Sequence, residues 1–400
     1  VEETVIVGGG QAGMQAAMNL RGYGYAGKIT ILGEEAHAPY ERPPLSKVFL
    51  IDADAPMSWV AQEEDASINF KAASKVTEIN RQEKYVQLSD GSHFSYTNLV
   101  LAMGGECRKL VMESSAPFYE VRTVDDAKKL YTKLGESKHV TIVGAGVIGL
   151  EVASSARKRG LKVSVIEYGS HIMSRNMPVN FAAKIKELHD NEGVDFHMND
   201  TIKSVQESGA ESFVQLEGGA QLNTDCIVLG IGITPNISLA EESGLAIGNG
   251  ILVSKDMRTS DPDIFAVGDI ACSENERTGQ AERIESWHNA NATAKIAAAA
   301  ICDESLPPFE VPWFWSDQYG TNIQVAGWPM LADKTIWRES GEALAAFYLL
   351  KDELVGACCI DAGADMSVIR RMLNAGISPS AEDLADPAVR LRGLLKALRQ

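Results

Sequence analysis

Two runs of glycines carry the plainest chemistry in this sequence. Gly8, Gly10 and Gly13 stand in the spacing Gly-x-Gly-x-x-Gly, and Gly144, Gly146 and Gly149 repeat it. That spacing handles phosphate. The first glycine permits a tight turn, the second lets the backbone approach a pyrophosphate, and the third lets a helix pack closely on a strand. The N–H groups and positive dipole end of that helix then face the anionic oxygens. An acid follows each run beyond the next apolar segment, Glu34 in the first case and Glu167 in the second. A carboxylate there accepts a hydrogen bond from a ribose 2′-OH and repels a 2′-phosphate, so the second unit is expected to prefer NAD over its phosphorylated analogue.

The elements that must hold such turns are present both times. Val5-Ile6-Val7 enters the first turn, an Ala- and Met-rich helical stretch leaves it, and Lys28-Ile29-Thr30-Ile31-Leu32 forms the next strand. Val140-Thr141-Ile142-Val143 enters the second turn, a helix runs through Arg157, and Lys162 to Ile166 is the strand that ends at Glu167. A lone Gly-x-Gly-x-x-Gly is a weak sign. Strand, turn, helix, strand and acid, repeated in order, predict two βαβ dinucleotide units. Downstream, Thr201 to Val228 reads as a hairpin, Ser286 to Ile301 as an Ala-rich helix, and Leu306-Pro307-Pro308 as a linker. Short strand-like runs from Phe314 to Ala357 and a helical tail predict a small α+β C-terminal domain.

Composition narrows the function. A chain of 400 residues is long enough for two or three domains. Its net charge of −17 argues against a nucleic-acid ligand, although a local basic patch can still meet an acidic protein. No apolar run approaches the ~20 residues that span a bilayer. The first strand starts almost at the first residue, leaving no room for a signal segment, and a cytoplasmic protein is expected. The cysteines, at 107, 226, 272, 302, 358 and 359, form no Cys-x-x-Cys pair. Reduced structural thiols are expected, and no metal or cluster site.

Further segments carry a resemblance over essentially the whole length. These are Pro39-Tyr40-Glu41-Arg42-Pro43-Pro44-Leu45-Ser46-Lys47, Leu99 to Ala102, Gly144 to Glu151, Ala266-Val267-Gly268-Asp269 and Pro312-Trp313-Phe314-Trp315-Ser316-Asp317-Gln318. With the first glycine run they resemble the FAD-dependent NADH:ferredoxin reductase family of bacterial oxygenase systems, the type of the putidaredoxin, biphenyl dioxygenase and toluene dioxygenase reductases. One departure is Ala102-Met103-Gly104, where relatives read Ala-Thr-Gly; a hydroxyl is lost and the turn at Gly104 is expected to survive. The resemblance implies two Rossmann-like domains of the glutathione-reductase type plus a C-terminal domain. Residues 1–108 and 234–308 would bind FAD, 109–233 would bind NAD, and 309–400 would form the third domain.

The same resemblance implies the site. Gly8, Gly10, Ala12, Gly13, Glu34, Arg42, Lys47, Val76, Arg122, Asp269 and Trp287 would hold FAD, with Asp269 at a helix start near the ribityl chain. Gly144, Gly146, Val147, Ile148, Gly149, Glu151, Glu167, Arg175 and Gly232 would hold NADH. Lys47 and Glu151, joined as an ion pair beneath the nicotinamide, would serve hydride transfer. Disulfide reductases of this class carry a Cys-x-x-x-x-Cys pair after the first unit, and peroxidase-type relatives a single cysteine; here Ser46 and Lys47 follow it, with no cysteine before Cys107. Electrons are therefore expected to leave for a [2Fe–2S] ferredoxin that feeds a Rieske dioxygenase or a cytochrome P450. Trp313 and Trp315, with Lys295, Arg283, Arg370 and Arg371 as candidate cations, would form the docking face. An NADH oxidase or peroxidase, or a non-enzymatic flavoprotein related to apoptosis-inducing factor, is the alternative.

Overall fold

The computed structural model describes residues 2–52, 54–55, 57, 67–112, 114, 116–208, 211–275 and 277–398. They fall into two compact units. One comprises Val1–Arg42, Pro56–Glu106 and Thr234–Glu310; the other comprises Pro43–Ala55, Cys107–Ile233 and Val311–Gln400.

Runs of Val and Ile make the central strands of both, because branched side chains suit a pleat covered on both faces. In the first unit the parallel sheet is ordered Ile68–Lys71, Lys28–Leu32, Glu3–Val7, Asn98–Leu101, Ile264–Ala266. Ile6 pairs with Ile31 on one side and Val100 on the other, all three without exposed surface. Helix Gln11–Gly22 lies against helix Trp287–Ile301, and the buried small side chains of Ala16, Ala17, Ala294 and Ala297 let the pair approach closely. Ser286 caps the second of these helices by accepting from Asn289 N at 3.0 Å.

The second unit repeats that order in Asp195–Met198, Lys162–Glu167, His139–Val143 and Cys226–Leu229, and its edge strand Phe118–Tyr119 precedes the others in sequence where Ile264–Ala266 follows them. Counted from the strand that enters the glycine turn, a three-stranded antiparallel sheet separates the third and fourth strands in each unit. In the first it is Val76–Asn80, Tyr85–Leu88 and His93–Ser95. In the second it is Ile202–Ser208, Glu211–Leu216 and Gln221–Thr224, where the sequence reading expected a simple hairpin ending at Val228. The turn at Gly218 and Gly219 folds back a third strand before Cys226–Leu229 rejoins the parallel sheet. Two Rossmann-like sheets thus stand in one α/β chain.

The C-terminal part is α+β: an antiparallel sheet ordered Trp313–Gln318, Thr321–Gly327, Glu353–Ile360, Ala343–Leu350, Lys334–Ser340, followed by helices Gly363–Asn374, Ala381–Ala385 and Leu391–Ala397. The segment Pro43–Ala55 belongs to the second unit, where the short helix Val48–Ile51 packs on helices Val124–Glu136 and Val147–Lys158. Among the described residues no helix is long and apolar enough to cross a membrane.

Candidate functional site

Both glycine turns have the three-part geometry that their spacing implies. Gly8 and Gly144 sit at φ +117° and +100°, where a side chain is strained, and a Cβ on either would collide with a carbonyl, that of Ala102 or of Gly230. A Cβ on Gly13 would run into the Gly8 carbonyl, and one on Gly149 into that of Gly144, so these two glycines set the distance between helix and strand. The middle glycines differ. A Cβ on Gly10 would meet nothing nearer than an Arg42 nitrogen at 3.9 Å, and one on Gly146 nothing nearer than the Gly230 oxygen at 3.8 Å. Each is the N-cap of its helix, and no side chain caps either helix. That is room, with N–H donors facing it, for a pyrophosphate.

Within the first unit the Arg42 guanidinium lies beside Gly10 and is held there by Glu35 at 2.5 Å, a carboxylate that also accepts from Tyr40 at 2.5 Å. Sequence reasoning missed Glu35. Glu34 is exposed and pairs with Lys75 at 2.8 Å, next to Val76 at the start of its strand. The two acids are not equivalent. Leu32 and Ile166 are the last residues paired with Val7 and Val143, so Glu167 follows directly, whereas Gly33 intervenes before Glu34. Asp269 lies in a single 3-10 turn, Gly268–Ile270, rather than at the start of an α-helix. Gly268, at φ +73°, packs so closely on Ala12 that a Cβ there would come within 2.9 Å of the alanine methyl. Arg283 is corrected by the structure: its side chain is 6% exposed, pairs with Glu285 at 2.6 Å and donates to the Asp269 carbonyl at 2.9 Å. It braces that turn and offers no free charge to a partner. Trp287 opens its helix half-buried, and Lys295 is exposed on the same helix.

Within the second unit Glu167 accepts from Ala145 N and Gly169 N, both at 2.7 Å. Met173 N donates to the Ala145 carbonyl at 2.9 Å, pinning the following loop on the glycine turn. That loop delivers Arg175 to Gly232, where a Cβ would stand 2.8 Å from the guanidinium. Val147 and Ile148 form the first helical turn, with Ile148 exposed. Arg122 precedes the capping box made by Thr123 and Asp126, in this unit rather than with Gly8.

Lys47 and Glu151 do form an ion pair, at 3.0 Å. Glu151 lies one turn into the helix that Gly146 caps and is 2% exposed, so it is no surface carboxylate serving the helix dipole. It accepts from Ser46 Oγ and, at 2.6 Å, from Ser316 Oγ. Burial pushes its carboxyl above the usual range, while Lys47, Ser316 and Ser46 pull it back. Lys47 Nζ also donates to the Pro43 carbonyl at 3.0 Å, and Ser155 Oγ ties the helix to the Ser46 carbonyl at 2.9 Å.

The strand Trp313–Gln318 splits its motif between two faces, as alternation requires. Ser316 and Gln318 are buried on the Glu151 side. Trp313 and Trp315, on the other, stack with ring centroids 5.3 Å apart, and Arg370 covers Trp313 at 4.4 Å. Both rings are half-buried. Arg371, next to Arg370 in sequence, is exposed. At Ala102-Met103-Gly104 the turn keeps its shape, with Gly104 at φ +61° and the Met103 carbonyl accepting from Asn236 at 3.1 Å.

The chain is similar to known proteins along its length. Residues 2–294 match a family model described as pyridine nucleotide-disulphide oxidoreductase, and residues 313–395 match one described as reductase C-terminal. The 3-phenylpropionate/cinnamic acid dioxygenase ferredoxin–NAD(+) reductase component of Photorhabdus laumondii is 36% identical over 378 residues, 92% of this chain and 95% of its own. The solved ferredoxin reductase for the CYP199A2 system of Rhodopseudomonas palustris is 32% identical, with a TM-score of 0.94 and 100% of both chains covered. The reductase chain of the covalent putidaredoxin reductase–putidaredoxin complex is 31% identical at a TM-score of 0.94, with 100% and 99% covered.

Proposed function

The chain belongs to the pyridine nucleotide-disulphide oxidoreductase family, and from that premise we propose that it is an NADH:ferredoxin reductase. The first unit holds FAD through Gly8, Gly10, Ala12, Gly13, Glu34, Arg42, Val76, Asp269 and Trp287. The second holds NADH through Gly144, Gly146, Val147, Ile148, Gly149, Glu167, Arg175 and Gly232. The observation that carries the reading is the ion pair of half-buried Lys47 with buried Glu151 in a chain with no cysteine before Cys107. No thiol in that segment is available to take electrons, so they leave the protein.

FAD, when bound, accepts a hydride and returns single electrons. What this chain adds is position and charge. Helix N-termini at Gly10 and Gly146 bind the pyrophosphates. Lys47 presents a cation to the carboxamide side of the nicotinamide, and Glu151 fixes that cation in place. Trp313, Trp315, Arg370 and Arg371 form a face for a [2Fe–2S] ferredoxin, whose acidic surface is drawn to the arginines. That ferredoxin supplies a terminal oxygenase in the cytoplasm.

The test is NADH-dependent reduction of cytochrome c through added ferredoxins, one Rieske-type and one with all-cysteine ligation. Turnover is expected with one of them. Peroxide formation faster than either would make the protein an oxidase. Raised salt is expected to slow the ferredoxin-linked step while leaving flavin reduction by NADH unchanged, and Arg370→Ala to act the same way at low salt. Equal sensitivity of both steps would remove the electrostatic docking face. Nucleotide choice rests on Glu167. The wild type should favour NADH in kcat/KM, and Glu167→Gln, which keeps an acceptor for Ala145 N, should narrow the preference by about tenfold.

A further inference from the structure

Glu151 stands at the end of a hydrogen-bond chain that reaches through Ser316 and Gln318 to His189 and Tyr319. Tyr319 Oη lies 2.9 Å from His189 Nδ1. His189 Nε2 lies 2.7 Å from Gln318 Oε1, and Gln318 Nε2 donates to Ser316 Oγ at 2.9 Å. Ser316 in turn donates to Glu151 at 2.6 Å. His189, Gln318, Ser316 and Glu151 are each no more than 2% exposed. Tyr319 is anchored by its own N–H, which donates to Ser154 Oγ at 2.8 Å on the helix that carries Glu151.

The chain runs one way. A carboxylate only accepts, so Ser316 must give it its proton. Ser316 then accepts from the Gln318 amide, whose oxygen accepts from His189 Nε2–H. That fixes the histidine as the Nε2–H tautomer, and its bare Nδ1 accepts from the tyrosine hydroxyl. Every donor thus points toward Glu151, and each bond polarises the next. Reversing any member breaks its neighbours. Burial suits this arrangement, since it holds His189 down at about 4 and so neutral, and pushes Tyr319 up. The charged groups around the chain are Lys47 at Glu151, Lys186 and Asp190 near His189, and Glu192 and Arg157 near Tyr319.

We propose that Ser316, Gln318 and His189 are positioning residues that keep Glu151 ionised and in one orientation, so that Lys47 is presented to the nicotinamide as a fixed cation. The role of the pair at the nicotinamide rests on the reading above; the ionisation of Glu151 does not. A merely structural network would cost stability when cut and leave the titration of Glu151 where it was.

The experiment reads that titration directly. Infrared spectra of the holoenzyme are recorded against pH, and the protonated carboxyl stretch of Glu151 is isolated by subtracting Glu151→Gln. Ser316→Ala and Gln318→Leu should each move the midpoint up by about one pH unit or more, and Ser316→Thr, which keeps the hydroxyl, should restore it. His189→Gln, which retains a donor toward Gln318, should lie nearer the wild type than His189→Leu. The limiting rate of flavin reduction by NADH should fall about tenfold in Ser316→Ala at neutral pH and recover in Ser316→Thr. An unmoved midpoint in Ser316→Ala overturns the proposal. A moved midpoint with an unchanged reduction rate upholds the chain and overturns the role of Lys47 and Glu151 in hydride transfer. Should Gln318→Leu fail to fold, the alanine and threonine variants at 316 decide the matter.

Discussion

Lys47→Ala slows flavin reduction by NADH about a hundredfold at neutral pH while the protein still purifies yellow, and stopped-flow absorbance against FAD content reads both numbers. The reason lies in the burial of its partner. Glu151 is 2% exposed and its charge is compensated by one cation at 3.0 Å and two hydroxyls. Without Lys47 the remaining donors are neutral, and burial then drives the carboxyl further above its usual range. Both the cation and the charge that fixes it are weakened together. Breaking one side of a buried pair should also cost about 3–5 kcal/mol of stability, because it strands the other charge. That cost is pH-dependent with a definite sign. A carboxyl that binds its proton more tightly folded than unfolded makes the fold less stable as pH rises from the unfolded value through the folded one. Lys47→Ala widens that window, so urea denaturation should show a larger deficit at pH 8 than at pH 5. The double variant Lys47→Met with Glu151→Gln should regain most of the stability and none of the rate. If the double variant is as unstable as Lys47→Ala, the buried charge is not the cause.

Local rules made much of this legible beforehand. A βαβ unit is contained within a few tens of residues, and its glycines, strands and acid are neighbours in sequence; the two turns at Gly8 and Gly144 therefore match their reading down to the backbone conformation. Long-range partnerships were not legible in the same way. Lys47 and Glu151 come from separate segments, and only family resemblance joined them. Ser316 and Gln318 went unremarked inside a motif read for its tryptophans. Residues two apart in a strand share a face, which sets Ser316 with Gln318 opposite Trp313 and Trp315, but that spacing does not tell a buried polar face from a solvated one. His189 carried no signal of its own. It sits with Phe181, Ala182 and Ile185 on the buried stripe of helix Val179–Asn191, where a histidine reads as ordinary core. Glu34 and Glu167 both follow a strand, but Gly33 stands between Leu32 and Glu34 while Glu167 follows Ile166 directly, and strand pairing shows that this one residue puts the two acids at different registers.

Gly146→Ala and Gly149→Ala are three residues apart and should fail in opposite ways. At Gly149 a Cβ would enter the carbonyl of Gly144, so helix Val147–Lys158 must shift off its strand. Glu151 and Ser155 ride on that helix and would lose Lys47 and the Ser46 carbonyl with it. Overpacking against backbone, which cannot rotate away, should cost more than about 3 kcal/mol, visible as a lower Tm. At Gly146 the same methyl meets no protein atom within 3.4 Å, so Tm and FAD content should stay at wild-type values. The methyl instead takes the space that N–H donors at the helix start leave for a pyrophosphate. About 1–3 kcal/mol of overpacking against that ligand corresponds to an NADH affinity some ten- to a hundredfold weaker, read as a raised Kd in anaerobic titration. Ferricyanide reduction at saturating NADH should then be nearly normal in Gly146→Ala and poor in Gly149→Ala. The contrast isolates what the two glycines do. One is small so that the protein can close on itself, and the other is small so that something else can come in. A fall in Tm for Gly146→Ala with unchanged NADH affinity would put both glycines in the first class and remove the pyrophosphate from the second turn.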